Sequence, residues 1–237
     1  MKALILAAGL GTRLAPITND RPKSLVPVNG KPILFKQIEN LLSNGIAEES
    51  ITIISGYKAE ILESAVKEHW PKINIIESKD YANTNNMYSA YRGRKAVKGS
   101  SFLMMNADVF YDASVLKALI TFDSPNAIAT EVGRYIEESM KVTGGADRLT
   151  SISKKITPSE AYGTTIDVYK FSNVGGAAFF EKCREYIEDK KELKLWSEVA
   201  LNDILPEVVF KPCPLDGRWL EIDNHEDLAT AEKLFAD

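Results

Sequence analysis

LAAGLGTRLAPITNDRPKSLVPV, Leu6 to Val28, stands at the end of an apolar run, Lys2 to Leu6, that reads as a first β-strand. A strand that runs into Gly9-Leu10-Gly11-Thr12-Arg13 lets bare backbone approach a ligand, because glycine has no Cβ and readily adopts φ > 0. Phosphate oxygens suit such a loop. Arg13 offers a planar fork for bidentate binding, and Lys23, on an extended stretch after Pro22, adds a compact second cation. Ala7, Ala8, Gly9, Gly11 and Thr12 are therefore the candidate backbone around a nucleotide's phosphates, with Arg13 and Lys23 as the candidate catalytic cations. The segment lacks the G-K-[ST] ending of a P-loop, and Leu14 stands where the dinucleotide fingerprint has its third glycine, which weakens ATPase and hydride-transfer readings. A plain connecting turn would account for G-x-G alone, but not for Arg13, Lys23 and the prolines in this order.

Outward from this loop, β-branched runs alternate with amphipathic stretches, the pattern of a mainly parallel sheet covered by helices on both faces. The spacing predicts strands at 2–6, 51–54, 73–76 and 102–105, with helices at 32–43, 58–69 and 87–92. Pro32 suits the first helical turn. After a helix at 113–121, strands at 127–132, 140–142, 149–153 and 166–171 predict an antiparallel extension. Helices at 174–189 and 196–205, a strand at 219–222 and a helix at 224–235 close the chain. The expected fold class is α/β, a Rossmann-like three-layer α/β/α arrangement. The expectation is one domain over 1–237, with a nucleotide-binding half at about 1–125 and an acceptor-binding half at about 126–237.

Composition sets bounds on partners. The 237 residues carry 29 basic against 33 acidic side chains, a net charge of −4, so a broad polyanion-binding face and a nucleic-acid partner are disfavoured. No run approaches the length of uncharged apolar sequence that a membrane span needs, so a cytoplasmic enzyme without a membrane partner is expected, as a monomer or homodimer. The two cysteines, Cys183 and Cys213, show no paired spacing and read as reduced thiols.

The order G-x-G-T-R-x-x-P-x-T-x-x-x-P-K-x-L-x-P-V resembles the signature of nucleotidyltransferases that make sugar nucleotides and related activated head groups. Within that family the chain looks most like the bacterial phosphocholine cytidylyltransferase branch. The likeness continues through KDYANTNNMYSAY (79–91), LMMNADVFYD (103–112) and RWLEIDNHEDL (218–228). It implies transfer of CMP from CTP to the phosphate or phosphonate of a small amine-bearing acceptor, with release of pyrophosphate, for surface-polymer synthesis. Phosphocholine, 2-aminoethylphosphonate and glutamine phosphate are the acceptors to separate. Sugar-1-phosphate activation is the enzymatic alternative, and a catalytically silent regulatory module the other.

Asp108 follows the fourth strand at the carboxyl edge of the expected sheet, where ligands of open α/β folds collect, and Asp223 follows the 219–222 strand. Mg²⁺ takes one or two protein carboxylates plus phosphate oxygens and water, which this pair can supply. The resemblance assigns the catalytic metal to both positions. A lone Asp after a strand is otherwise a turn former or a cap; Asp112 is read as a cap, Asn224 as the cap of the last helix, and Glu221 and Asp227 as solvated or dipole-related. Asn83, Asn85, Asn86 and Ser89 form a polar cluster; the amides of Asn85 and Asn86 offer the donor and acceptor a cytosine edge requires, turn formers capping a helix fit the chemistry equally, and the resemblance to cytidylyltransferases favours base reading. On the acceptor side, Ser153-Lys154-Lys155 stands where sugar-phosphate relatives have E-K-P. Lys154 is thus the candidate for the acceptor phosphate, and Lys141 a second cation. Tyr162, Trp196, Trp219 and Tyr88 are aromatic candidates for an ammonium group, against the plainer reading as core. Arg148 and Lys155 are spare cations for an acceptor carboxylate, and His69, His225 and Tyr57 receive no role.

Overall fold

The computed structural model describes residues 1–236. Among the described residues, thirteen strands and seven α-helices follow one another. The elements that build the first half are β1 (Lys2–Ala7), the short hairpin β2 (Pro27–Val28) and β3 (Lys31–Pro32), α1 (Ile33–Ser43), β4 (Ile51–Ser55), α2 (Ala59–His69), β5 (Asn74–Glu77), α3 (Asn86–Val97), β6 (Phe102–Asn106), β7 (Val109–Tyr111) and α4 (Ala113–Thr121). The second half contains β8 (Ala127–Val132), β9 (Lys141–Gly145), β10 (Arg148–Ser153), β11 (Gly163–Phe171), α5 (Asn173–Arg184), α6 (Ser197–Ile204), β12 (Lys211–Pro214), β13 (Trp219–Glu221) and α7 (His225–Leu234).

Strands β6, β1, β4 and β5 lie parallel in that order. The long β11 joins them antiparallel to β6 and carries the β9–β10 hairpin and β8, with β12 parallel to β8, so one nine-stranded sheet runs through both halves of the chain. Alternation along β1 explains the layering. Ala3, Ile5 and Ala7 pack under α1, α2 and α4, while Leu4 and Leu6 pack under α3, α5 and α6. The mixed α/β class and its mainly parallel sheet are as the sequence predicts.

Several boundaries differ. Pro32 pairs in β3 and precedes α1 instead of opening it, and α3 runs to Val97, well past the 87–92 expectation. The helix expected at 174–189 is α5 followed by a π-helical turn at Glu185–Asp189. Besides the two-residue strands of the β2–β3 hairpin, two strands were not anticipated, β7 and β12. The first matters most, because β7 pairs antiparallel with β13 as a separate ribbon, Val109 opposite Glu221. Asp112 occupies the position before α4, but its side chain makes no cap bond. It is held by Arg218, whose Nε lies 3.0 Å from Oδ2. Asn224 does cap α7, in a reciprocal box with Asp227.

Candidate active site

The loop after β1 is shaped by one glycine. Gly11 has φ +63°, and a Cβ there would stand 2.7 Å from the Cβ of Lys23, so the absent side chain lets the turn at Lys23–Leu25 fold back against the loop. Gly9 is not left-handed; its bare face opens on empty space. The loop is pinned from outside. Thr18 Oγ1 donates to Gly11 O, Tyr57 OH donates to Thr18 O, and His225 Nε2 meets Ala15 O at 2.8 Å. Tyr57 and His225 are therefore struts of the loop. Ala7, Ala8, Gly9, Gly11, Thr12, Arg13 and Lys23 all line a single cavity of about 360 Å³.

The β7–β13 ribbon brings the two aspartates to that cavity. Asp108 immediately precedes β7, and Asp223 lies two residues beyond β13; Ile222 N donates to Asp108 O at 2.9 Å. Period-2 alternation then turns Glu221 toward the same place as Asp223. Ligand oxygens of Asp108, Glu221 and Asp223 all lie within 4.8 Å of one another. Glu221 is thus a member of the acidic cluster and not a solvated bystander. Lys23 stands between the aspartates, its Nζ 3.0 Å from Asp108 Oδ2 and 2.6 Å from Asp223 Oδ1, and Arg13 pairs with Asp223 at 2.9 Å.

Charge compensation sets the protonation states. Burial would depress the Lys23 ammonium, but the charges of Asp108 and Asp223 and their hydrogen bonds hold it above the ordinary lysine range. Burial acts upward on Asp223, and Lys23 and Arg13 override it and hold that carboxyl low. Glu221 has no such cation bonded to it; burial and then the charges of Asp108 and Asp223 push it up to about 7. The donor set fits Mg²⁺, a hard cation that favours carboxylate oxygens, and Asp108 Oδ1 is buried without a hydrogen-bond partner among the described residues.

Asn85, Asn86 and Ser89 also line the cavity. Asn85 Oδ1 caps α3 by accepting from Asn86 N, so the capping reading holds for that residue too. Asn86 Oδ1 accepts from Ser197 N, and its Nδ2 has no partner among the described residues, leaving a donor for a ligand. On the acceptor side Lys154 and Trp196 line the cavity, with Lys154 Nζ 5.3 Å from the Trp196 ring centroid. Other expected acceptor-side residues stand outside the cavity lining. Trp219 is buried in the core with Nε1 donating to Glu131; Tyr162 serves through its backbone, bonded to Val142 O and Gly133 N; Tyr88 OH donates to Asp80. Lys141, expected as a binding cation, is buried with Nζ donating to Glu137 O and is not among the residues that line the cavity. Arg148 is likewise taken, by the carbonyls of Leu205 and Pro206. Tyr81, Asn106, Asp167 and Glu198 line the cavity as well, none of them expected there from the sequence. Asp167 had a signal, an acid interrupting the apolar run of a central strand; Glu198 on a short helix had none.

The family profile described as Nucleotidyl transferase matches residues 2–144. The chain belongs to that family. Among nucleotidyl transferases, it is 29% identical over 252 residues to the CTP:phosphoglutamine cytidylyltransferase of Campylobacter jejuni, covering 96% of this chain and 98% of the relative. A segment of 100 residues, 42% of each chain, is 45% identical to the choline-phosphate cytidylyltransferase of Streptococcus pneumoniae. The solved structure of the CTP:phosphocholine cytidylyltransferase from Streptococcus pneumoniae superimposes with a TM-score of 0.81 at 25% identity, covering 98% of this chain and 97% of that one. The chain also spans about half the length of longer curated relatives that it matches. Among the described residues no helix is long and apolar enough to cross a membrane.

Proposed function

We propose that the protein is a cytidylyltransferase that transfers CMP from CTP to the phosphate or phosphonate of a small amine-bearing acceptor and releases pyrophosphate, in the synthesis of a surface polymer. The observation that carries this reading is the convergence of Arg13, Lys23, Asp108 and Asp223 on one cavity, supplied by segments up to 210 positions apart (13 to 223). The cytidylyltransferases among its relatives support CTP as the nucleotide. Asn86, with its carbonyl engaged and its amide N–H₂ free, offers a donor to the acceptor edge of a cytosine.

Asp108 and Asp223, with Glu221 beside them, are the residues that would hold Mg²⁺. Bound there, the ion supplies charge neutralisation and orientation of phosphate oxygens. The chain's own residues do the rest by position and charge. The loop from Ala7 to Thr12 presents backbone N–H groups to the triphosphate, and Arg13, two-thirds exposed, is free to swing onto the departing β- and γ-phosphates. Lys23 leaves the aspartates to bridge the α-phosphate and the incoming acceptor, whose phosphate Lys154 receives. The acceptor oxygen attacks the α-phosphorus in line and pyrophosphate departs; a phosphate dianion requires no general base.

The test is pyrophosphate release from CTP, UTP, ATP, GTP and dTTP with phosphocholine, 2-aminoethylphosphonate, glutamine phosphate and glucose 1-phosphate. Metal-dependent release with CTP and an amine-bearing acceptor is expected. Preference for glucose 1-phosphate would instead favour sugar activation, and nucleotide binding without product a regulatory module.

A further inference from the structure

The cavity holds a second acidic group beyond the metal-facing carboxylates. Asp167 sits in β11 with a left-handed backbone, φ 57°, and Glu198 lies in the first turn of α6; both line the cavity. Tyr169 stands between them, its hydroxyl oxygen 2.9 Å from Asp167 Oδ1 and 2.8 Å from Glu198 Oε1. A phenol has one proton, so the second contact needs a proton on a carboxyl group. Glu198 Oε1 also accepts from Ser197 Oγ at 3.0 Å, and Asp167 Oδ2 accepts from Asn106. These contacts are satisfied with one extra proton on either carboxyl; with it on Asp167, Asp167 donates to Tyr169, which donates to Glu198. Burial, then the charges of Glu198, Glu221 and Asp108, raises the Asp167 carboxyl well above the usual range, in the same sense. With that one proton shared across the Tyr169 hydroxyl, the pair bears one negative charge.

Glu198 is only 3% exposed, and its Oε2 has no hydrogen-bond partner among the described residues. A carboxylate oxygen with free lone pairs, on a side chain otherwise buried and lining a substrate-sized cavity, is placed to accept a donated hydrogen. We propose that Glu198 is the subsite for a primary ammonium group of the acceptor, so that the enzyme takes aminoalkyl phosphates or phosphonates in preference to quaternary ammonium ones. This rests on the cytidylyltransferase reading and narrows its acceptor.

A primary ammonium supplies N–H bonds to Oε2, of the charge-assisted kind that runs to about 2.7–2.9 Å. A trimethylammonium has no N–H, leaves Oε2 unpaired, and is recognised by aromatic cages. The described cavity lining has two aromatic residues, Tyr81 and Trp196, and the Lys154 cation already stands near the Trp196 ring. Lys154 serves the acceptor phosphate and Glu198 its ammonium, so both charges of a zwitterion meet their opposites in one cavity.

The experiment measures kcat/KM with CTP and Mg²⁺ for phosphoethanolamine, 2-aminoethylphosphonate, glutamine phosphate, phosphocholine and ethyl phosphate, in the wild-type enzyme and in E198Q. The best primary-ammonium acceptor should exceed phosphocholine by about tenfold or more, and E198Q should take at least about tenfold more from that acceptor than from ethyl phosphate, chiefly through KM. Melting temperature and CTP binding of E198Q report whether its fold survives. Phosphocholine matching or beating the primary amines overturns the inference, as does a proportional loss for both acceptor types in a folded E198Q; if E198Q does not fold, the wild-type ranking decides. Release with UTP in place of CTP refutes the nucleotide assignment and leaves the acceptor ranking readable. No release with any nucleotide and acceptor refutes both.

Discussion

Replacing Lys23 by methionine separates its charge from its packing. The side chain is 14% exposed, and its Nζ is shared between Asp223 and Asp108. Methionine keeps the length of the stem and removes the cation. Asp108, Glu221 and Asp223 are then left within 4.8 Å of one another, facing Arg13 and, farther off, Lys154. Breaking a buried pair costs roughly 3–5 kcal/mol, and with the aspartates 20–25% exposed a value of about 2–3 kcal/mol is expected. In a chain of this size that lowers the melting temperature in EDTA by about 4–12 °C. A divalent ion supplies the missing charge, so Mn²⁺ at about 100 times its dissociation constant should restore about 2.7 kcal/mol, most of the loss. Wild-type protein, with Lys23 between the aspartates, should respond weakly to Mn²⁺ until nucleotide draws the lysine away. Thermal melts in EDTA and Mn²⁺, with Mn²⁺ binding followed by electron paramagnetic resonance, provide the readout. A K23M that melts with the wild type in EDTA, that Mn²⁺ does not rescue, or that binds Mn²⁺ no more tightly than the nucleotide-free wild type would refute this charge balance.

D108N and D223N should each lose pyrophosphate release by about a thousandfold or more, with far-ultraviolet circular dichroism unchanged; an active D108N would remove the metal assignment. G11A places a Cβ at φ +63° against Lys23 and should cost about 1–2 kcal/mol in a urea melt while raising KM for CTP. In EDTA, stability should fall as pH rises from 4.5 to about 7, because folded Glu221 holds a proton that the unfolded carboxyl has lost. E221Q should flatten that slope, and an unchanged pH profile would exclude Glu221 as its source. N86D keeps the acceptor for Ser197 N but removes the cavity-facing donor, so kcat/KM for CTP relative to UTP should drop about tenfold.

The parallel half of the sheet was legible because β1, β4 and β6 alternate or run apolar between clear turns. β7 was not, since Val109–Tyr111 follows Asn106-Ala107-Asp108 so closely that the stretch reads as a strand end and a turn. β12 hid behind Pro212 and Pro214, residues that argue against a strand except at a sheet edge, where this one pairs with β8. In the site, the motif residues were found because the likeness to a family spans them. The errors fell on residues whose type is ambiguous without a neighbour. An indole bonded to Glu131 and a lysine buried against Glu137 O have the same letters as ligand-binding ones. Glu198 acquires its character from Tyr169 and Ser197 across the fold, a tertiary property that no local pattern carries.

The β7–β13 ribbon gives biosynthesis a built-in order. A nascent polypeptide that has emerged only through β12 possesses every strand of the large sheet and the glycine loop, yet lacks Glu221 and Asp223. Such a partial product carries one of the three clustered carboxylates, so the cluster proposed to hold the metal is complete only once β13 pairs beside Val109–Tyr111.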